Sequence, residues 1–337
     1  MQALANPFLY AAVLGDQSHK EIHQIVGQES SGVQYNTIRL DKHGRPHNPM
    51  INAGAILMAS QYKKELSAAE KHNEVLKLMK RIAGLKDVSD SSVGFDYAGF
   101  MSERANCNRN ASITYFMREK KCFPDWEKTE VNKILDIYTQ IQNITVNCDS
   151  MSVMAATLAN GGICPITGEA VLGNEDVKAS LSCMLAAGMN DYSGKLKKIH
   201  NFNKIFKNQT IFQGQWAYKI GLPGKSGISG GVIIVVPNVM GIALYSPKIE
   251  KSFNSVRGLD FALKLVNCFH FHEFDPIRLR SKTVQQTVEM ADEEKLIINL
   301  IAAQRNDLNR LTQSFLEDFD LNMAGYDEKT PLHVAAS

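Results

Sequence analysis

Lys225-Ser226-Gly227, followed by Gly230-Gly231 and the run Val232-Ile233-Ile234-Val235-Val236, holds the clearest chemical signal in the chain. A lysine and a serine together on a strand form one half of a serine-nucleophile constellation. The other half is Ser-x-x-Lys at the start of a helix, where the serine attacks and the lysine takes its proton. The glycine pair would let backbone approach a ligand closely. The alternative for the same tripeptide is a loop with a solvated lysine. The chain spells out Ser-x-x-Lys at Ser60-Gln61-Tyr62-Lys63, but this follows an Asn-Ala-Gly helix and reads as surface.

Elements must hold such groups in place. The β-branched run predicts a strand buried on both faces, Pro237-Asn238 a turn, and residues 239–245 a second strand, giving a hairpin. The turn interrupts the apolar run before the roughly 18 residues of a membrane helix accumulate. Residues 216–221 are expected to be the preceding strand, continuing through Pro223. Helical spacing recurs over 74–82 and 131–144. A third helix spans 151–158, capped by Asp149 or Ser150 and ended by Asn160-Gly161-Gly162. Helices outnumber strands, an α+β layout with a small antiparallel sheet late in the chain.

With 337 residues the chain can hold one large core or two modest domains. Its 37 basic and 35 acidic residues leave a formal charge of +2, too even for a nucleic-acid surface or an acidic tail. Cys107, Cys122, Cys148, Cys164, Cys183 and Cys268 form no C-x-x-C pair, so reduced thiols are expected rather than a disulfide framework or a zinc site. The opening MQALANPFLYAAVLG has no lysine or arginine and fits neither a signal peptide nor a transit peptide. Residues 195–214 are biased to Lys, Asn, Ile, Phe and Gln and are expected to be a loop insertion, the alternative being a basic amphipathic element for membrane or RNA.

Residues 284–319 read as polar and helical, with Leu296, Ile298, Leu300, Leu308 and Leu311 as the apolar stripe of a connector assigned to 276–317. Residues 318–337 follow, and Thr330-Pro331-Leu332-His333 with Ala335-Ala336 is the signature that starts an ankyrin repeat. A lone repeat cannot bury its face, so this tail is expected to lack order unless partners or further repeats cover it.

Several long stretches, GRPHNPMINAGAI (44–56), SERANCNRN (102–110), EKKCFP (119–124), SVMAATLANGGICPITGE (152–169) and GLPGKSGISGGVIIVVPNVMG (221–241), closely resemble the kidney- and liver-type glutaminases of animals. The resemblance runs from about Pro7 to about Phe274, within a domain assigned to 1–275. It implies a β-lactamase-like fold, of the serine β-lactamase and penicillin-binding type. It further implies hydrolysis of L-glutamine to L-glutamate and ammonia without metal or cofactor, stimulation by inorganic phosphate, a mitochondrial setting and a homotetramer. It places Asn52, Glu103, Asn110 and Tyr138 on glutamine-binding positions, and the Ile228 N–H where the family holds the developing oxyanion. A carboxylate suits the α-ammonium of a free amino acid, and amide and phenol groups suit its carboxylate. On their residue types alone, Asn52 reads as a helix cap, Glu103 as a surface charge and Tyr138 as core. Arg104 and Arg109 read as structural or solvated, with phosphate or subunit contacts as the alternative.

The catalytic groups depart from the pattern. Where the family reads Gln-Ser-x-x-Lys-Pro, this chain reads Gln2-Ala3-Leu4-Ala5-Asn6-Pro7. Ala3 thus stands at the nucleophile position and Asn6 at the base position. Asn190 replaces the tyrosine of Gly-Met-Tyr-Asp, with Tyr192 two residues on as a substitute. The expectation is an N-terminally truncated form with a retained short intron at 195–214 and an open sheet edge that could pair with another subunit. It would act as a glutaminase, or as a non-catalytic subunit that binds glutamine or joins full-length protomers. An ankyrin scaffold is a weaker third reading.

Overall fold

The computed structural model describes residues 1–87, 89–190, 213–275, 292–304, 308, 311–312, 314, 319–325 and 329–335. The chain divides into a unit spanning Met1–Asp275 and a second spanning Pro276–Ser337.

In the first unit a short 3-10 helix, Gln2–Ala5, runs directly into α1, Asn6–Asp16. Pro7 sits in the first turn of α1, where a missing N–H leaves no hydrogen bond unmade. Phe8, Leu9, Tyr10, Ala11, Val13 and Leu14 are all buried, so α1 is apolar on every side and lies in the core. It packs against α3 (Asn52–Gln61) and α9 (Asn174–Ala187). Around them stand α2 (His19–Ile25), α4 (Ala68–Ile82), α5 (Tyr97–Ala105), α6 (Asn108–Glu119) and α7 (Val131–Gln142).

The helix expected over 74–82 begins earlier, because Ser67 and Glu70 form a reciprocal capping box. The one expected over 131–144 stops at Gln142, and Ile144 starts a strand instead. That strand, β2 (Ile144–Val146), pairs antiparallel with β1 (Val93–Phe95), a small sheet the sequence reading did not foresee. Helix α8, Cys148–Ala159, is capped by Asn147, whose side chain accepts from the Ser150 N–H, and not by Asp149 or Ser150.

The late sheet has the order β3-β4-β5, antiparallel throughout, with β3 at Gly224–Ser226, β4 at Gly231–Val236 and β5 at Met240–Tyr245. Every residue of β4 is buried, as its β-branched composition predicts, and β5 is half-buried. Asn238 closes the hairpin with φ 62°, a conformation asparagine tolerates better than most residues. Helix α8 lies on the sheet so closely that a Cβ on Gly241 would fall 2.0 Å from the Ala156 nitrogen. The expected strand over 216–221 is instead helix α10, Gln213–Lys219, whose Trp216 indole donates to the Leu222 carbonyl at 2.7 Å. Helix α11, Val256–Phe269, capped by Ser255, completes the unit.

In the second unit a helix over Asp292–Gln304 packs against one over Pro331–Ala335. Leu296 is buried there, but Leu308 of the expected stripe is exposed. Within residues 318–337, Thr330 caps the short helix, its hydroxyl accepting from the His333 N–H at 3.3 Å. The expectations for residues 195–212 and for 284–291 fall outside the described residues. Among the described residues no helix is long and apolar enough to cross a membrane.

Candidate active site

The site begins with a glycine. A Cβ on Gly54 would sit 1.9 Å from the Asn48 carbonyl oxygen, so only glycine lets the first turn of α3 settle on the preceding loop. Asn48 itself is fully buried; its side-chain oxygen accepts from the Met50 and Ile51 N–H groups at 3.0 and 3.2 Å, and its amide donates to the Glu29 carbonyl at 2.8 Å. That loop presents Asn52 as the first residue of α3. The Asn52 backbone N–H donates to the Tyr35 carbonyl at 3.2 Å, and its side-chain amide donates to Asn110 Oδ1, on α6, at 2.8 Å.

Glu103 lies in the last turn of α5 and accepts from Asn143 Nδ2 at 2.7 Å. Tyr138, buried on α7, has a phenol held far above its usual range, first by burial and then by the negative charge of Glu103 and the nearby Tyr35. Of the sequence-predicted residues, Asn52 on α3 bonds Asn110 on α6, and Tyr138 on α7 feels the charge of Glu103 on α5. Arg104 turns aside into an ion pair with Asp136, and Arg109 is exposed.

Ile228 lies in the turn 227–230 between β3 and β4, closed by Gly230 N–H donating to the Gly227 carbonyl at 3.1 Å. Ile228 is 42% exposed, and its N–H has no acceptor among the described residues. The same turn abuts the front of the chain, since a Cβ on Gly227 would lie 3.2 Å from Leu4 Cγ and 3.4 Å from the Met1 carbonyl oxygen. Lys225 is no solvated loop residue. It is fully buried on β3, donates to the Ser226 carbonyl at 2.6 Å, and burial pushes its ammonium down to about 7. The Ser226 hydroxyl is buried with no hydrogen-bond partner among the described residues.

At the front end, Ala3 lies in the 3-10 helix and Asn6 opens α1 at 2% exposure. The Asn6 amide donates to the Met50 carbonyl at 3.2 Å, and its oxygen accepts from Gln142 Nε2 at 3.1 Å. Asn190 is held just past α9, donating to the Phe253 carbonyl at 2.9 Å, and the Phe253 ring stands edge-on to Tyr35 at 5.5 Å. Tyr192 lies outside the described residues. Ser60 donates to the Leu57 carbonyl of its own helix and Lys63 pairs with Asp16, so that Ser-x-x-Lys forms no dyad. Sequence reasoning missed Asn143, Gln142 and Tyr35. An amide at a helix end is too common to mark the first two, and Tyr35 acts through contacts distant in sequence.

The Glutaminase family model matches residues 1–198 and 212–274. The chain is 40% identical over 339 residues to the mitochondrial liver isoform of glutaminase from Mus musculus, covering 100% of this chain and 52% of that protein. It is 36% identical over 280 residues to a glutaminase from Nostoc sp., covering 83% of this chain and 75% of the relative. Among solved structures, Mglu in its glutamate form superposes with a TM-score of 0.68 at 29% identity, over 82% of this chain and 57% of that one. The chain spans about half the length of the animal relatives it matches, and its helices and small antiparallel sheets follow the β-lactamase-like fold of the solved glutaminases. It belongs to the glutaminase family.

Proposed function

We propose that this chain binds L-glutamine as the glutaminases do but does not hydrolyse it on its own. What supports the reading is a contrast in the chain. Asn52, Glu103, Asn110 and Tyr138 stand where the resembling enzymes bind glutamine, with Asn52 bonded to Asn110 and Tyr138 feeling the charge of Glu103, whereas Ala3 and Asn6 hold the positions at which those enzymes carry serine and lysine. An alanine methyl cannot attack an amide carbon, and the Asn6 amide is engaged on both its oxygen and its nitrogen. Losing the serine of a serine hydrolase costs on the order of a million-fold in turnover, and further losses in the same unit add little.

A second reading, hydrolysis by the chain itself, draws on two observations. The Ile228 N–H is open to an oxyanion, and the buried Lys225 amine, pushed down to about 7, sits on the strand that abuts the front end. Family membership extends the proposal to inorganic phosphate as an activator, to homo-oligomers or assembly with longer protomers, to a mitochondrial location and to an ankyrin repeat beginning within 318–337.

Calorimetric titration of the full chain with L-glutamine, beside an ammonia-release assay, tests it. Binding that Glu103→Ala removes, with ammonia at the protein-free rate, is the expected result. Ammonia release that Glu103→Ala abolishes would overturn it in favour of hydrolysis.

A further inference from the structure

Asn143 stands at the C-terminal cap of α7, directly after Gln142, whose amide reaches Asn6. Its Nδ2 donates to Glu103 Oε2 at 2.7 Å and to the Thr139 carbonyl at 2.9 Å. Both partners are acceptors, so the amide nitrogen must face them and both its hydrogens are spent. The Asn143 carbonyl in turn accepts from the Asp96 N–H at 3.0 Å, fastening the start of α5 to the end of α7. Asn143 is 8% exposed, so burial and its two donated hydrogen bonds hold the side chain in place. Glu103 Oε1 meets no donor among the described residues.

We infer that Asn143 is the positioning residue that makes Glu103 a selective acceptor for an α-ammonium, pinning Oε2 so that Oε1 takes the ligand's charge. This rests on the glutamine-binding reading above. A carboxylate anchored by a neutral donor keeps its full charge and a fixed direction, and a hydrogen bond to a charged group contributes more than one between neutral groups. The ionisable groups around the pair are Asp96, Tyr138, the Arg104–Asp136 ion pair and the Met1 amino group.

The experiment titrates the full chain with L-glutamine and with 4-carbamoylbutanoic acid, the same molecule without its ammonium. Asn143→Ala should cut the preference for glutamine by about ten-fold while leaving affinity for the deamino analogue unchanged. Asn143→Asp keeps the shape, so it serves if the alanine variant folds poorly. Two carboxylates at that spacing share a proton. Glutamine affinity in that variant should therefore climb with pH between 6 and 8 more steeply than in the unaltered chain, where the Met1 amino group, lowered to about 6, loses its proton beside Glu103. If both variants keep the wild-type preference and pH profile while Glu103→Ala loses the preference, the inference fails and the binding reading stands. An unaltered chain that shows no preference for the ammonium brings down both.

Discussion

The shell on α3, α5, α6 and α7 and the front end at Gln2–Asn6 are built from the same kinds of residue, yet their amides do opposite work. In the shell, Asn52 and Asn143 each donate to another polar side chain, Asn110 and Glu103. At the front, Asn6 spends its amide on the Met50 carbonyl and Gln142, bonds that hold α1 to its neighbours. In this chain position 6 is thus satisfied by hydrogen bonds without carrying a charge. A buried polar group costs stability only when it lacks partners, and a neutral amide with two of them is cheaper to bury than an ammonium. Position 6 can thus hold an amide in place of an ammonium without leaving a buried charge unpaired.

The sharpest way to break that comparison is to rebuild the front. Ala3→Ser with Asn6→Lys and Asn190→Tyr should raise ammonia release by on the order of a thousand-fold or more over the unaltered chain, in a coupled assay. Silence in a variant that still binds glutamine would show that more than these side chains separates the two regions.

Gly54→Ala attacks the other side. Its Cβ would meet backbone at Asn48, which no rotamer relieves, so a loss of about 1–3 kcal/mol in thermal unfolding should accompany weakened glutamine binding. A variant that melts normally and binds normally would detach Asn52 from the site.

Lys225 offers a pH test. Its folded ammonium titrates near 7 against 10.5 when exposed, so between those values the unfolded chain holds a proton that the folded chain has shed. Stability from this residue should then rise with pH across that window, and below it the full penalty remains. Lys225→Met should raise the melting temperature at pH 7 and flatten the rise, as read by calorimetry from pH 7 to 10.

The smallest effect is expected at Ser67→Ala, which removes the α4 cap far from both regions. About 1 kcal/mol should be lost with glutamine affinity unchanged.

Much of this organisation was legible where a local pattern decides it. The β-branched residues of β4 and the turn at Asn238 announce the hairpin. Residues 216–221 misled because a tryptophan, a tyrosine and an isoleucine at alternate positions suit a strand as well as one short helix, and tertiary packing chose the helix. Asn147, Asp149 and Ser150 are all good caps, so sequence could not select among them. The strands β1 and β2 are too short to leave any period. The site's residues were found through resemblance, since nothing local tells Asn52 that Asn110 will face it. Asn143 was missed because its importance is a distance to Glu103, made only when α5 and α7 meet.

The pairing of Asn6 with Gln142 has an electrical consequence. A lysine at that place would trade its charge with the solvent as acidity changes, whereas a carboxamide holds the same formal charge throughout the range in which proteins live. Position 6 therefore contributes no proton of its own to the front of the chain, and exchange with solvent there falls to the Met1 amino group, which burial lowers to about 6.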